Sequence, residues 1–361
     1  MKYRRNPFLE NGPLPVDVVF HPSWWHRHGG ITFDEDFFYD PVRRVEAERR
    51  MERVLDERFG DLGLGRDRDR DLPAIGPVHN AAGYLVAEML GCRVEYLEDA
   101  PPRVIPADRF DLEIDVEGAL ESAAFRRLMR LVAGLKTRFG YVVGDVNWGG
   151  ILNLALDVRG QGIFLDMADR PAAVRRFFGR LAEFIERFTA AIAAETGTTS
   201  ISVNRTVKHI LGPVFLHSEC ALTMISTGHY EDFIRPIDCA WSERHRPFGV
   251  HYCGADPHRF ADTFAQIPHL DFLDVGWGGD LRELRRRLPE TFLNIRLSPV
   301  EIVGQSVREV RGAVVERVLA SDNPYLTGVC CINMDDRVTD DKVRAMFEAV
   351  FELRKRYAVS D

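Results

Sequence analysis

The chain has 361 residues, 45% hydrophobic and 28% charged, with a formal net charge of −8. That is enough apolar material for a large core, and too acidic a balance for a general nucleic-acid binder, which carries a basic face. No apolar run approaches the roughly 18–20 residues that span a bilayer, and the polar residues 1–11 lead into no apolar signal segment. A soluble cytoplasmic protein is therefore expected, with no membrane or nucleic-acid partner.

The first 70 residues carry WWHRHGG (24–30), the acidic-aromatic DEDFFYD (34–40), a charged helical stretch over 45–59 and the loop GRDRDRD (65–71). They read as an N-terminal helical extension packing over one end of the domain formed by residues 71–361. The alternating Arg/Asp loop reads as a solvated turn. His26 and His28 are candidates for a lid over a site, against the plainer reading of packing and surface. A first strand is expected at 73–77, followed by a helix over 80–90.

From residue 140 short apolar runs alternate with amphipathic helices. YVVGDVNW (141–148) reads as a strand. After Pro171 a helix places Val174, Phe177, Phe178, Leu181, Phe184, Ile185, Phe188 and Ile192 on one stripe, the 3.6-residue signature. The next strand is expected at 200–204 and part of a helix at 230–241. The unit then recurs: strand 248–253 before helix 257–265, strand 271–277 before helix 281–288, and strand 291–297 before a helix opened by Ser306 and Glu309 at capping-box spacing. Strand 325–332 leads to a last helix bearing Val343, Met346, Phe347, Val350 and Phe351. Such alternation implies the α/β class with a parallel sheet and helices outside. At least six units favour a closed (β/α)8 TIM barrel over residues 71–361, with 1–70 as the extension.

Six cysteines stand at 92, 220, 239, 253, 330 and 331. In a chain of this size they are not a disulfide framework, so each is a buried hydrophobe or a ligand. Barrel enzymes work at the C-terminal ends of their strands. His251 and Cys253 fall at one such end, two apart and so on one face. Cys330 and Cys331 fall at the end of the last strand, where alternation turns only one inward. Zinc favours imidazole and thiolate, and three protein ligands leave a position open for chemistry. His251, Cys253 and Cys330 make a chemically sensible set, although spacing alone leaves them equally readable as core residues.

Beyond the spacing, HYCG (251–254), FLDVGWGGDLRELRRRL (272–288), the strand-turn ending at Pro299 and GVCCIN (328–333) resemble the uroporphyrinogen decarboxylase superfamily, over the region from about residue 141 to the C-terminus. The HxCG start and the 77 positions from Cys253 to Cys330 resemble the corrinoid-linked methyltransferases of the methylcobalamin:coenzyme M type. That resemblance implies zinc held by His251, Cys253 and Cys330. It implies methyl transfer between a corrinoid on a separate protein and a thiol or small methylated substrate, with the metal keeping sulfur nucleophilic. The arginine-rich signature of the porphyrinogen decarboxylases is absent from residues 1–60, which argues against that activity. Where superfamily members often carry an Asn-Ile-Asp-Pro turn, this chain has Arg296, Leu297, Ser298 and Pro299, which puts the substrate in doubt more than the metal.

Other residues take their roles from position. Glu219, in FLHSECAL, is a candidate fourth ligand or supporting group, with His217 and Cys220 beside it as weaker candidates. Strand parity turns Asn294, Arg296, Asp274, Asp145 and Asn147 toward the barrel interior as pocket candidates; Arg296 would hold an anionic group or a structural salt bridge. Asp256, His258 and Ala261 only partly match a corrinoid-binding motif and read as helix surface, so the corrinoid would dock in trans. GWGGD (276–280) is a strand-to-helix turn, weak grounds for a phosphate cradle. The competing readings are a metal-independent lyase or decarboxylase on the same barrel, and a non-catalytic protein stabilised by zinc.

Overall fold

In the computed structural model the described residues are 3–5, 7–8, 12–75, 83–144, 146, 148–197 and 214–358. The expected strand at 200–204, the start of the helix expected at 80–90, and Asp145 and Asn147 lie outside them.

Among the described residues eight strands are formed: β1 (Val16–Phe20), β2 (Arg93–Glu95), β3 (Arg103–Ile105), β4 (Phe215–Ser218), β5 (Phe248–His251), β6 (Phe272–Val275), β7 (Phe292–Leu297) and β8 (Thr327–Met334). Six make one parallel sheet in the order β1-β8-β7-β6-β5-β4, and β2 with β3 forms a separate antiparallel pair. A parallel bridge joins Ala74 to Val143, two segments that fall in chain order between β1 and β4. The result is a curled parallel sheet with helices in the connections, the α/β barrel architecture.

The strands read as they do because both faces are covered. All six residues of β7 are buried. Leu293, Ile295 and Leu297 join the main core with the outer helices. Phe292 turns the other way and packs with Val214, Leu216 and Phe272 in a small cluster inside the sheet's curl. Val19, Cys330 and Ile332 form a second inner cluster. The helix Pro171–Thr196 buries the expected stripe from Val174 to Ile192 and ends at Gly197, whose φ of 77° suits a residue without a side chain. The capping box at Ser306 and Glu309 is present and opens the helix Val307–Ala320. No helix among the described residues is long and apolar enough to cross a membrane.

Two expectations change. The sheet begins inside the segment read as an extension: β1 pairs with β8 from Val16↔Val329 to Val19↔Ile332. Residue 70 therefore does not divide an added segment from the barrel. A five-residue run between Pro15 and Pro22 is too short for a periodicity test, and the bracketing prolines were the usable signal. The first strand is therefore β1, and of the segment at 73–77 the described residues 73–75 contribute the bridge at Ala74.

A chain starting at residue 71 would expose the edge of β8 and lose the packing of Val18 and Phe20. We expect that fragment to show no cooperative thermal transition by circular dichroism. A transition matching that of the full chain would contradict the assignment of β1 to the barrel.

Candidate metal centre

Register builds the site. His251 of β5 pairs with Asp274 of β6, and Asp274 pairs with Asn294 of β7, so three inward side chains stand in one row. His251 Nδ1 contacts the Asp274 carboxylate, and Asn294 Nδ2 donates to Asp274 Oδ1 at 3.2 Å. This leaves His251 Nε2 directed at Cys253, with Nε2 to Sγ at 2.7 Å. The sulfur of Cys220 lies 2.7 Å from that of Cys253. Cys220 opens the short turn Cys220–Met224 just beyond β4, the strand next to β5. Among the described residues, the group able to hold a metal ion is Cys220, His251 and Cys253, with donor atoms within 4.8 Å of one another.

Cys330 is not in that group. It faces inward, but it sits on β8, three strands round from β5, where it pairs with Arg296 of β7. With strands about 4.8 Å apart, β4 brings a thiol to Cys253 more directly than β8 does. Asn294 Nδ2 donates to Cys330 Sγ at 3.4 Å. Burial pushes the Cys330 thiol well above its ordinary range, which keeps it protonated. Cys331 turns outward, toward the Leu297 carbonyl. All six cysteines are free.

The charges around the group are mutually adjusted. A hydrogen bond from Cys220 holds Cys253 well below the usual thiol range against the effect of burial, with His251 and Arg296 adding to it. The same hydrogen bond and burial push Cys220 up. Burial pulls His251 down, but Cys253 and Asp274 outweigh it and lift the imidazole to about 9. Arg296, 3% exposed, reaches Cys253 Sγ and His251 Nε2 from one nitrogen, both at 3.4 Å. Among the described residues no structural salt bridge to a barrel carboxylate accounts for it, and its Nε–H meets no acceptor there.

Behind Cys220 lies a second buried network that the sequence only hinted at. His217 faces outward on β4, between Glu219 Oε1 at 2.9 Å and Asp238 Oδ1 at 2.6 Å. Tyr230 donates its hydroxyl to the other Asp238 oxygen. Trp148 stacks on the imidazole, and Trp241 meets it edge-on. Glu219 Oε1 also accepts from the Leu152 N–H at 2.8 Å, capping the helix Ile151–Arg159, while Oε2 is buried with no partner among the described residues. Burial lowers the His217 pKa, but Asp238 and Glu219 outweigh it and raise it to about 10. Glu219 is thus placed as the carboxylate behind a candidate ligand. Asp238 and Tyr230 were missed because nothing in their helices marks them apart from ordinary helix residues.

The lid candidates do not meet the group. His26 bonds the Ile31 carbonyl, and His28 packs on Trp24. The glycines of GWGGD have a packing role: a Cβ on Gly276 would fall 1.6 Å from the Gly254 carbonyl oxygen. They let the loop after β6 lie against the loop that carries Cys253.

No protein-family model and no curated protein sequence matches this chain. Among solved structures, a methyltransferase from Methanosarcina mazei superposes with a TM-score of 0.67 at 13% identity, covering 95% of each chain. A B12-independent methionine synthase from Shewanella sp. W3-18-1, in complex with selenomethionine, matches with a TM-score of 0.50 at 10% identity, over 99% of this chain and 100% of that one. At such identities the likeness is one of fold. The chain shares their α/β barrel fold.

The raised pKa of His217 makes a pH prediction. A group titrating at about 10 when folded and near 6.5 when unfolded stabilises fully below pH 6.5, and that contribution fades as pH climbs to about 10. Urea unfolding of wild type should lose stability across that window. His217→Gln should be roughly 3–5 kcal/mol less stable at pH 6, with the gap closing toward pH 10. A gap that does not change with pH would show a neutral imidazole that accepts the Ile151 N–H, 3.1 Å from its Nε2.

Proposed function

We propose that this chain is a zinc-dependent methyltransferase whose protein ligands are Cys220, His251 and Cys253. The observation that carries the reading is the convergence of one imidazole nitrogen and two sulfurs at the C-terminal end of neighbouring barrel strands. The donor set fits zinc: it is soft, and it numbers three, which leaves a position open to substrate. Zinc held there would supply a Lewis acid that keeps a substrate thiol deprotonated near neutral pH, the state in which sulfur accepts a methyl group.

The chain's own residues support that use. Asp274 fixes the proton on Nδ1 and frees Nε2 as a donor, the usual outer-shell arrangement of a ligand histidine. Asn294 holds the far side of that carboxylate. The methyl group moves between a corrinoid carried by a separate protein and a small thiol or methylated substrate. Support for this part comes from the motif resemblance and from a methyltransferase sharing the fold.

One observation favours a second reading. Cys253, His251 and Asp274 line up as thiol, imidazole and carboxylate, which is also the arrangement of a metal-free cysteine nucleophile. Metal content separates the two.

Protein isolated under reducing, chelator-free conditions should contain about one zinc per chain. Cys220→Ala and Cys253→Ala should lose it while staying folded, and Cys330→Ala should keep it. Thiol-dependent demethylation of free methylcobalamin, followed by absorbance, should fall at least about a hundredfold in Cys253→Ala. Metal-free wild type that is fully active would overturn the proposal. Unfolding of the two ligand variants would favour a structural zinc instead.

A further inference from the structure

Arg296 is a buried cation set against the donor atoms themselves, and no carboxylate among the described residues is paired with it. Its Nη1 lies 3.4 Å from Cys253 Sγ and 3.4 Å from His251 Nε2, and its Nε–H has no acceptor among those residues. The nearby carboxylates are committed elsewhere. Asp274 is engaged by His251 and Asn294, while Glu219 is engaged by His217 and the helix end at Leu152. Cys330, in register with Arg296, keeps its proton and brings no compensating charge.

A divalent ion with two thiolates and one neutral imidazole is formally neutral. Arg296 then puts a positive charge directly against the donor atoms, while the offsetting Asp274 carboxylate stands behind the imidazole on its Nδ1 side, in a place where burial keeps Coulomb interactions strong. A guanidinium there also discourages a second metal ion.

We propose that Arg296 determines which ligands the open metal position accepts, selecting anions over neutral donors. The inference rests on the metal site proposed above. An incoming anion meets the guanidinium on the donor side with the carboxylate behind the imidazole and is stabilised by it, whereas a neutral ligand gains little. A substrate thiol is accordingly taken as its thiolate. Arg296 acts through charge and through its hydrogen bond to Cys253, so it is a specificity-determining residue and need not touch the methyl group.

The test uses full-length protein loaded with cobalt(II) in place of zinc, titrated with azide or thiocyanate and separately with imidazole, and read by the visible cobalt bands. Arg296→Gln should bind both anions about tenfold to a hundredfold more weakly, with imidazole affinity unchanged. Arg296→Lys, which keeps the charge, should restore most of the anion affinity. If the Gln variant does not fold, Arg296→Met serves as the uncharged replacement of similar length. Unchanged anion affinity in the uncharged variant, or an equal loss for imidazole, would overturn the proposal. Absence of thiolate-to-cobalt charge transfer in wild type would instead sink the metal site itself, and is told apart by that signal.

Discussion

The hydrogen bond between His251 and Asp274 is the constraint on which the site depends. It exists because β5 and β6 pair those two residues in register, and Asn294 extends the same row on β7. The row needs space beneath and beside it, and two strand glycines leave it. A Cβ on Gly249 would press on the Phe272 carbonyl and Leu216, and one on Gly328 would meet Asn294 Oδ1 and Phe292 at 2.8 Å. With the imidazole fixed in rotation and tautomer, its Nε2 can point only toward the loop that carries Cys253. A register slip of one residue would turn the row outward and put apolar side chains where the donors stand.

Alternation along β4 separates two kinds of buried polar chemistry. His217 faces the helices and is clamped between two carboxylates, with aromatic rings over it. Cys220, beyond the strand end, reaches the inner group. Among the described residues the outer network leaves Glu219 Oε2 and the indole N–H groups of Trp148 and Trp241 without partners, and the inner one leaves the Arg296 Nε–H and Asn294 Oδ1 so. Buried polar groups are costly unless paired. What separates them is the donor set: among the described residues two sulfurs and an imidazole nitrogen converge in the inner group, which reads as the place where a ligand arrives.

Much of this was legible in the sequence where alternation alone decides orientation. Asn294, Arg296 and Asp274 face inward as parity required, whereas alternation left open which of Cys330 and Cys331 does so, and it is Cys330. The barrel was legible from its recurring strand and helix runs after residue 140. What parity cannot supply is adjacency around the barrel. Only the strand order places β4, with Cys220 just beyond its end, beside β5, and β8 with Cys330 three strands away. The first strand was hidden for another reason: VDVVF is five residues long and follows no recognisable unit, so its partner at the far end of the chain was invisible. The Asp238 and Tyr230 contacts to His217 depend on helix docking, which a single sequence does not encode locally.

In the proposed centre two thiolates and an imidazole from the ends of β4 and β5 hold one metal ion. Zinc K-edge X-ray absorption on the Cys330→Ala protein tests it most directly. Two sulfur scatterers at about 2.3 Å and nitrogen or oxygen scatterers at about 2.0–2.1 Å are expected. A shell of nitrogen and oxygen alone, or one sulfur in place of two, would contradict it.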